Sequence, residues 1–206
     1  MGRGTGSRLR LSAVLALALC VAVGATGAAD AKKHKKKAKA KPIDITKAVN
    51  TPIPDGTPTG EGIVASTIDA GAQFKGLRVR DVNATLTTTG DTPPAAADLT
   101  AMLIAPNGAT SVFFLFGDLV GRNIGPLTYD DESPNETVGP TAFGPYDLAS
   151  PYVGTVHPDG PPLSVMDDGP AMGRWTLVVR DPGVGDTSNF VSWRLQVTTG
   201  RPYRTR

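Results

Sequence analysis

The sequence has few of the residues that build disulfide frameworks, metal centres or catalytic triads. Its 206 residues include one cysteine, Cys20, and two histidines, His34 and His157, and only 6% of the residues are aromatic. A single cysteine excludes an intramolecular disulfide, and no zinc-ligand spacing occurs. A Gly-x-Ser-x-Gly motif and a phosphate-binding loop are also missing. The fold must therefore rely on its apolar core.

Long apolar runs are equally scarce, and the one present lies at the N-terminus. The almost unbroken run from Leu11 to Val23 follows three arginines and precedes the small residues of 24–31. This order predicts a secretory signal peptide over 1–29. An uncleaved anchor is the alternative, but the run is short for a membrane span. We therefore expect a secreted protein, extracellular or associated with the cell envelope, with no stable membrane span after cleavage.

Positive charge is concentrated in one segment. Ala31 to Lys41, AKKHKKKAKAK, holds seven lysines, and a Pro/Gly/Thr-rich stretch follows at Asn50 to Gly62. Such segments bury little apolar surface, so we expect a disordered lysine-rich tail and linker over 30–61. The tail is either a solvated spacer or a contact for polyanions such as cell-envelope polymers.

The rest of the chain has the opposite charge. From Pro42 onwards, 18 acidic residues outnumber 11 basic ones. An acidic domain is a poor candidate for specific nucleic-acid binding. The composition therefore predicts one acidic domain over 62–200, followed by a short tail at 201–206.

Two-residue periodicity dominates this domain. Gly173 to Val197 reads as strand, polar loop and strand, with Trp175 and Trp193 among the inward residues. Ile63 to Ile68, Leu99 to Ala105 and Val112 to Phe116 are further strand candidates. A strand across 77–87 changes phase after Val79, which indicates a β-bulge. No segment has a helical period over three turns, so we predict an all-β, antiparallel β-sandwich or jelly roll with both tryptophans in its core.

Three segments, taken in order, resemble the P domain, or Homo B domain, of kexin- and furin-type convertases and of bacterial subtilisin-like proteases. They are ADLTAMLIAPNGAT (97–110), then LTYDDES (127–133) with PYVGTVHPDGPPLSVMDDGPAMGRW (151–175), and finally the tryptophan-containing pair of strands. The resemblance covers about Ile63 to Thr198. One departure is that family members commonly carry Thr-His ahead of the Asp-Leu pair, and no histidine stands there in this chain.

The resemblance implies an accessory β-sandwich that follows a catalytic domain, packs against it and supports its folding and stability. Here we expect a stand-alone secreted module that is not an enzyme, with a secreted protease or a cell-envelope polymer as its partner. A cell-envelope or glycan-binding jelly roll is the alternative, because fold does not dictate function. A lesser alternative is a component of a serine endopeptidase acting in proteolysis.

The residues themselves give weak support to catalysis. Ser111, in ATSVF, superficially resembles a subtilisin nucleophile, but it enters a strand where that nucleophile would begin a helix. His157 lies in a turn-like stretch before a proline, as expected of a surface loop residue. We therefore predict no catalytic residue.

Carboxylates on loops are the remaining candidates for chemistry. Asp98 precedes a strand beside a polar loop, and Asp130 and Asp131 are adjacent. Hard oxygen ligands on loops suit Ca²⁺, and some bacterial P-domain-like modules are expected to hold it. These three residues are the candidate calcium ligands. The competing interpretation is that the acids accept hydrogen bonds from backbone N–H groups in turns.

Overall fold

The computed structural model describes residues 42–91, 95–119, 121–135 and 151–202. Within these ranges the regular structure is β, with single 3₁₀ turns at Ala72–Phe74 and Leu163–Met166. The strands are β1 (Ile43–Ile53), β2 (Gly62–Ala70), β3 (Arg78–Gly90), β4 (Thr100–Ile104), β5 (Thr110–Phe114), β6 (Ile124–Tyr129), β7 (Tyr152–Val156), β8 (Gly173–Asp181) and β9 (Ser188–Gly200). The prediction of an all-β fold is confirmed.

The strands form two sheets. One sheet has five strands in the order β1-β9-β3-β6-β7, and the other has four in the order β2-β8-β4-β5. Buried side chains from both sheets form one apolar cluster, so the fold is a β-sandwich as predicted. All pairs are antiparallel except β6 and β7, which are parallel. The connection from Tyr129 to Tyr152 is longer than the dozen or so residues that a parallel crossover needs.

Both tryptophans lie in the core, which confirms that prediction. Trp175 on β8 is 0% exposed and Trp193 on β9 is 1% exposed. The Trp175 indole N–H donates to the carbonyl oxygen of Ala171 at 3.2 Å. The Trp193 indole N–H donates to the hydroxyl of Ser66, on the other sheet, at 3.0 Å. Each buried indole therefore has the hydrogen-bond partner that its burial requires.

The first strand corrects the prediction of a disordered tail and linker over 30–61. Residues 43–53 of that segment form β1, whose partner is β9, so the sandwich begins before the predicted boundary at residue 62. Ile43 is buried and Ile45 packs against the core, because the strand alternates despite its polar composition. The predicted signal peptide and the lysine-rich segment up to Lys41 lie outside the described residues.

The phase change in β3 is confirmed as an irregularity of pairing. The register of β3 against β9 shifts between Val79 and Asp81, so the apolar set moves from Val79 to Val82 without leaving the core. The sequence pattern alone was enough to place this bulge.

A lysine protects the β2 edge of the four-stranded sheet. The ammonium group of Lys47, on β1, donates to the carbonyl oxygen of Thr67 on edge strand β2 at 2.6 Å. A carbonyl occupied in this way is not available to the strand of another molecule. None of the helices in the described ranges is long and apolar enough to cross a lipid bilayer.

Candidate functional site

The serine and histidine considered for catalysis make structural contacts. Ser111 is 0% exposed, and its hydroxyl donates to the carbonyl oxygen of Pro161 at 2.7 Å. The Nε2 atom of His157 lies 2.5 Å from the carbonyl oxygen of Ser133, to which it donates. A triad requires the serine hydroxyl to bond to the histidine ring, and these two bond to other groups.

Asp130 and Asp131 lie in the turn after β6, and their carboxylates accept backbone hydrogen bonds. Asp131 binds the N–H groups of Leu163 and Ser164 at 2.8 and 2.7 Å. Asp130 accepts from the N–H of Glu132 at 2.8 Å. The oxygens of Asp131 thus hold the 3₁₀ turn at Leu163 against the end of β6. This is the alternative to calcium binding, in which the acids accept backbone hydrogen bonds in turns.

These two residues belong to an acid cluster beside β3. Its members are Asp81, Asp130, Asp131, Glu132 and Asp167. Burial, followed by the charge of Asp130, raises the pKa of Asp81, and burial followed by the charge of Asp81 raises the pKa of Asp167. The sequence did not reveal Asp81 as a member, because β3 is distant in the chain from the other acids.

Asp98 lies in a different group, which we call the loop acid cluster. Its members are Asp55, Asp98, Asp181 and Asp186. Burial, and then the charges of Asp186 and Asp55, raise the pKa of Asp98. The N–H of Gly185 donates to both carboxylate oxygens of Asp55 at 3.1 Å, which ties the segment before β2 to the loop between β8 and β9.

Asp181 is the buried member of the loop acid cluster. It ends β8 on the core side and is 0% exposed. Its Oδ1 accepts from the N–H of Gly183 at 3.0 Å, whereas Oδ2 has no hydrogen-bond partner among the described residues. Burial is the main cause that raises the pKa of Asp181 to about 6, and the charges of Asp98, Asp55 and Asp186 add to it.

Two glycines allow the loops of this cluster to approach closely. A Cβ atom on Gly56 would lie 2.0 Å from the carbonyl oxygen of Gly183, and one on Gly183 would lie 2.3 Å from the Asp98 carboxyl carbon. Neither position has room for a side chain. The loop after β8, which the sequence shows only as a polar loop, is therefore packed tightly against two other segments.

The three predicted calcium ligands do not come together. Asp98 lies in the loop acid cluster, and Asp130 and Asp131 lie in the cluster beside β3. Across the described ranges, no group of three or more acidic, histidine or cysteine side chains is arranged to hold a metal ion. These residues therefore do not make one ligand set, and calcium binding stays a prediction.

The outer face of the four-stranded sheet carries apolar side chains. Ala65, Val178, Met102 and Val112 are in register across β2, β8, β4 and β5. Ala65 is exposed and Met102 and Val112 are half-buried, whereas Val178, between its neighbours, is 9% exposed. Ile63, which is 52% exposed, and Ile104 flank this row. We call this set of six residues the apolar outer face. Antiparallel sheets usually present polar side chains on a solvated face, so an apolar one indicates an interaction surface.

Two ion pairs lie at the ends of the apolar outer face. The guanidinium of Arg180 lies 3.4 Å from the Glu61 carboxylate at one end of β2, and Arg174 pairs with Asp69 at the other. The Nε atom of Arg180 is shielded from solvent and has no hydrogen-bond partner within the described part of the chain. The arrangement of an apolar centre with a polar rim is typical of protein interfaces.

The outer face of the five-stranded sheet is different in character. A groove of about 480 Å³ crosses it and is lined mainly by hydroxyl-bearing side chains from all five strands. Among the described residues that line it, Arg194 alone is charged, and Asp44 holds it through two hydrogen bonds of 2.7 Å. The sandwich therefore presents one apolar and one hydroxyl-rich face on opposite sides.

The comparisons with known proteins give the following result. No protein-family model matches the chain, and no curated protein sequence matches it. Among solved structures, the serine protease of Aeromonas sobria in complex with its chaperone ORF2 aligns with 80% of this chain at 16% identity and a TM-score of 0.46. A second crystal structure of the Aeromonas sobria serine protease aligns with 78% of this chain at 14% identity and a TM-score of 0.39. The chain spans 28% and 27% of the length of those two protease chains.

Proposed function

We propose that the protein is a secreted, non-catalytic module of the P/Homo B type that binds and stabilises a partner protein, and that the partner is a subtilisin-like serine protease. The observation that carries the proposal is the apolar outer face, a row of side chains that crosses all four strands of one sheet. Burial of such a row against a partner is favourable by roughly 25 cal/mol per Å². The ordered P-domain-like motifs support the choice of partner class.

The hydrogen bonds of Ser111 and His157 support the non-catalytic part of the proposal. The hydroxyl of Ser111 is buried and donates to a backbone carbonyl, so it has neither the access nor the base that a nucleophile needs. His157 is bonded to a carbonyl oxygen. The module thus contributes a surface, and the proteolytic chemistry belongs to the partner.

The test uses the full chain with a C-terminal affinity tag, recovered from the culture medium of the organism it comes from. Eluates are treated with a fluorophosphonate probe, which labels active serine hydrolases. We expect a labelled protein to co-elute with the tagged chain, and we expect the tagged chain itself to remain unlabelled. Labelling of the chain that disappears in Ser111→Ala would overturn the non-catalytic assignment.

Two exposed alanines provide a matched pair of variants. Ala65 lies in the apolar outer face on edge strand β2, and Ala48 lies on edge strand β1 of the other sheet. Ala65→Asp should abolish co-elution of the labelled protein, because it places a charge in the apolar row, whereas Ala48→Asp should leave it unchanged. Equal loss or equal retention in the two variants would contradict docking through this face.

A further inference from the structure

The hydroxyl-rich groove on the five-stranded sheet has the size of a ligand site. Its volume of about 480 Å³ falls within the range of roughly 300–1,000 Å³ that is usual for such sites. We call it the hydroxyl groove, and the hydroxyl groups that line it belong to Thr46, Thr85, Thr87, Thr128, Thr155 and Ser192. It lies on the opposite side of the sandwich from the apolar outer face.

Four of these threonines and Arg194 form a row across the sheet. Thr46 on β1 is in register with Arg194 on β9, Arg194 with Thr85 on β3, Thr85 with Thr128 on β6, and Thr128 with Thr155 on β7. The row therefore crosses all five strands at the strand spacing of about 4.8 Å. A ligand lying along it would meet a threonine on four of the strands and Arg194 on β9, which suits a polymer with a short repeat.

The chemistry of the row is neutral and amphipathic. Each threonine offers a hydroxyl that can both donate and accept, together with a methyl group. Arg194 uses two of its guanidinium N–H groups on Asp44, which cancels its charge and leaves further donors for a ligand. Anionic ligands such as phosphates therefore find no net positive charge among the described residues that line the groove.

Apolar contacts complete one end of the groove. Pro126 on β6 and Val153 on β7, which is 53% exposed, lie beside Gly154 there. Sugar rings carry hydroxyl groups at their edges and C–H groups on their faces, so they fit a surface with both kinds of contact. A β-linked polysaccharide is an extended chain, so it can lie straight across strands that are spaced about 4.8 Å apart.

We propose that the hydroxyl groove binds a neutral, β-linked polysaccharide strand that lies across the five strands. This role is additional to partner binding at the apolar outer face and is independent of it, because the two faces point in opposite directions. The wall polymer contact is thus assigned to the sandwich rather than to the lysine-rich segment.

The experiment is affinity electrophoresis of the full-length secreted protein in native gels. The gels contain hydroxyethylcellulose, a neutral β-linked glucan, or dextran, an α-linked glucan, as a control. We expect retardation by hydroxyethylcellulose and not by dextran. The retardation should persist at 1 M salt, where ionic contacts are screened over about 3 Å.

Variants of the same size test whether the retardation in the gel depends on the hydroxyl groups of the groove. Thr85 and Thr128 bond to each other through their hydroxyl groups at 2.9 Å, so replacing both by valine leaves neither partner unsatisfied and keeps two β-branched residues in the sheet. The Thr85→Val, Thr128→Val double variant should bind the glucan about tenfold more weakly, the effect of two lost hydrogen bonds. Thr176→Val, on the outer face of the other sheet, should bind like the unmodified protein.

Several results would overturn the proposal. They are absence of retardation, equal retardation of the double variant, and retardation that vanishes at high salt, which would assign it to the lysine-rich segment. Loss of the fluorophosphonate-labelled protein in the double variant, with no effect on glucan binding, would make the groove a protein-docking surface. Retention of glucan binding in Ala65→Asp would support the proposal even if the protease partner were not found.

Discussion

Trp193 and Ser66 join the two sheets through the core: the indole N–H of Trp193 on β9 donates to the hydroxyl of Ser66 on β2 at 3.0 Å. Ser66 is 5% exposed and Trp193 is 1% exposed, so water does not substitute for either partner. The bond fixes how β2 lies over β9 where side-chain packing alone would tolerate small displacements.

Ser66→Ala should therefore destabilise the protein. The substitution leaves the buried Trp193 N–H without a partner, which costs about 1–3 kcal/mol. Urea unfolding followed by tryptophan fluorescence measures this loss. In a double-mutant cycle with Trp193→Phe, the second substitution should cost less in the Ser66→Ala background, and strict additivity would contradict the coupling.

Asp181→Asn should change how stability depends on pH. The pKa of Asp181 in the folded protein is about 6, above its ordinary value of 3.8, so between these values the folded state binds more protons than the unfolded state. Its contribution to stability therefore increases as pH falls through 6 towards 4 and is lost as pH rises.

Relative to Asp181→Asn, the unmodified protein should gain about 1–2 kcal/mol between pH 7 and pH 4.5, because each unit of pKa difference corresponds to about 1.4 kcal/mol. Asparagine keeps the acceptor for the N–H of Gly183 and cannot ionise. Denaturant titrations at four or five pH values give the difference curve. A difference curve that is flat, or that rises with pH, would contradict burial of this carboxylate.

Asp131→Ala tests capping against calcium binding. Both carboxylate oxygens of Asp131 accept backbone hydrogen bonds from the 3₁₀ turn at Leu163, so their loss should cost about 1 kcal/mol, as for other capping residues. If capping is the main role, the loss is the same with millimolar Ca²⁺ and with chelator. A loss that grows in Ca²⁺, measured by thermal unfolding, would identify Asp131 as a ligand.

Lys47→Ala should expose the edge of the four-stranded sheet. The variant frees the carbonyl oxygen of Thr67 on β2 for pairing with another chain. We expect a loss of about 0.5–1.5 kcal/mol and faster aggregation during refolding. Lys75→Ala, at an exposed lysine in a turn, is the control, and light scattering that rises equally in both variants would exclude edge protection.

The sequence predicted those parts of the fold in which a two-residue period is strong. β8, β9 and the bulge in β3 were placed correctly, because their apolar residues alternate clearly. β1 was missed, because a lysine stands among its inward residues and its turn-like end at Asn50 and Pro52 resembles a linker. The lysine is accommodated because its ammonium group reaches a carbonyl on the neighbouring sheet, which only tertiary structure reveals.

The candidate sites were harder to predict from the sequence, because they too depend on tertiary structure. Asp98 was grouped with Asp130 and Asp131 by residue type, but which loops meet depends on the topology of both sheets. Asp55 contacts the loop after β8 across more than a hundred residues of chain. The hydroxyl groove likewise depends on the register of five strands, each of which contributes one or two unremarkable threonines or serines.

The contact between Gly56 and Gly183 has an evolutionary consequence. A single added methyl group at either position would meet backbone or carboxylate atoms at 2.0–2.3 Å, so selection should remove nearly every substitution there. Among diverged sequences this pair of glycines should therefore be conserved more strongly than most surface residues, although Gly56 lies more than a hundred residues before Gly183 in the chain.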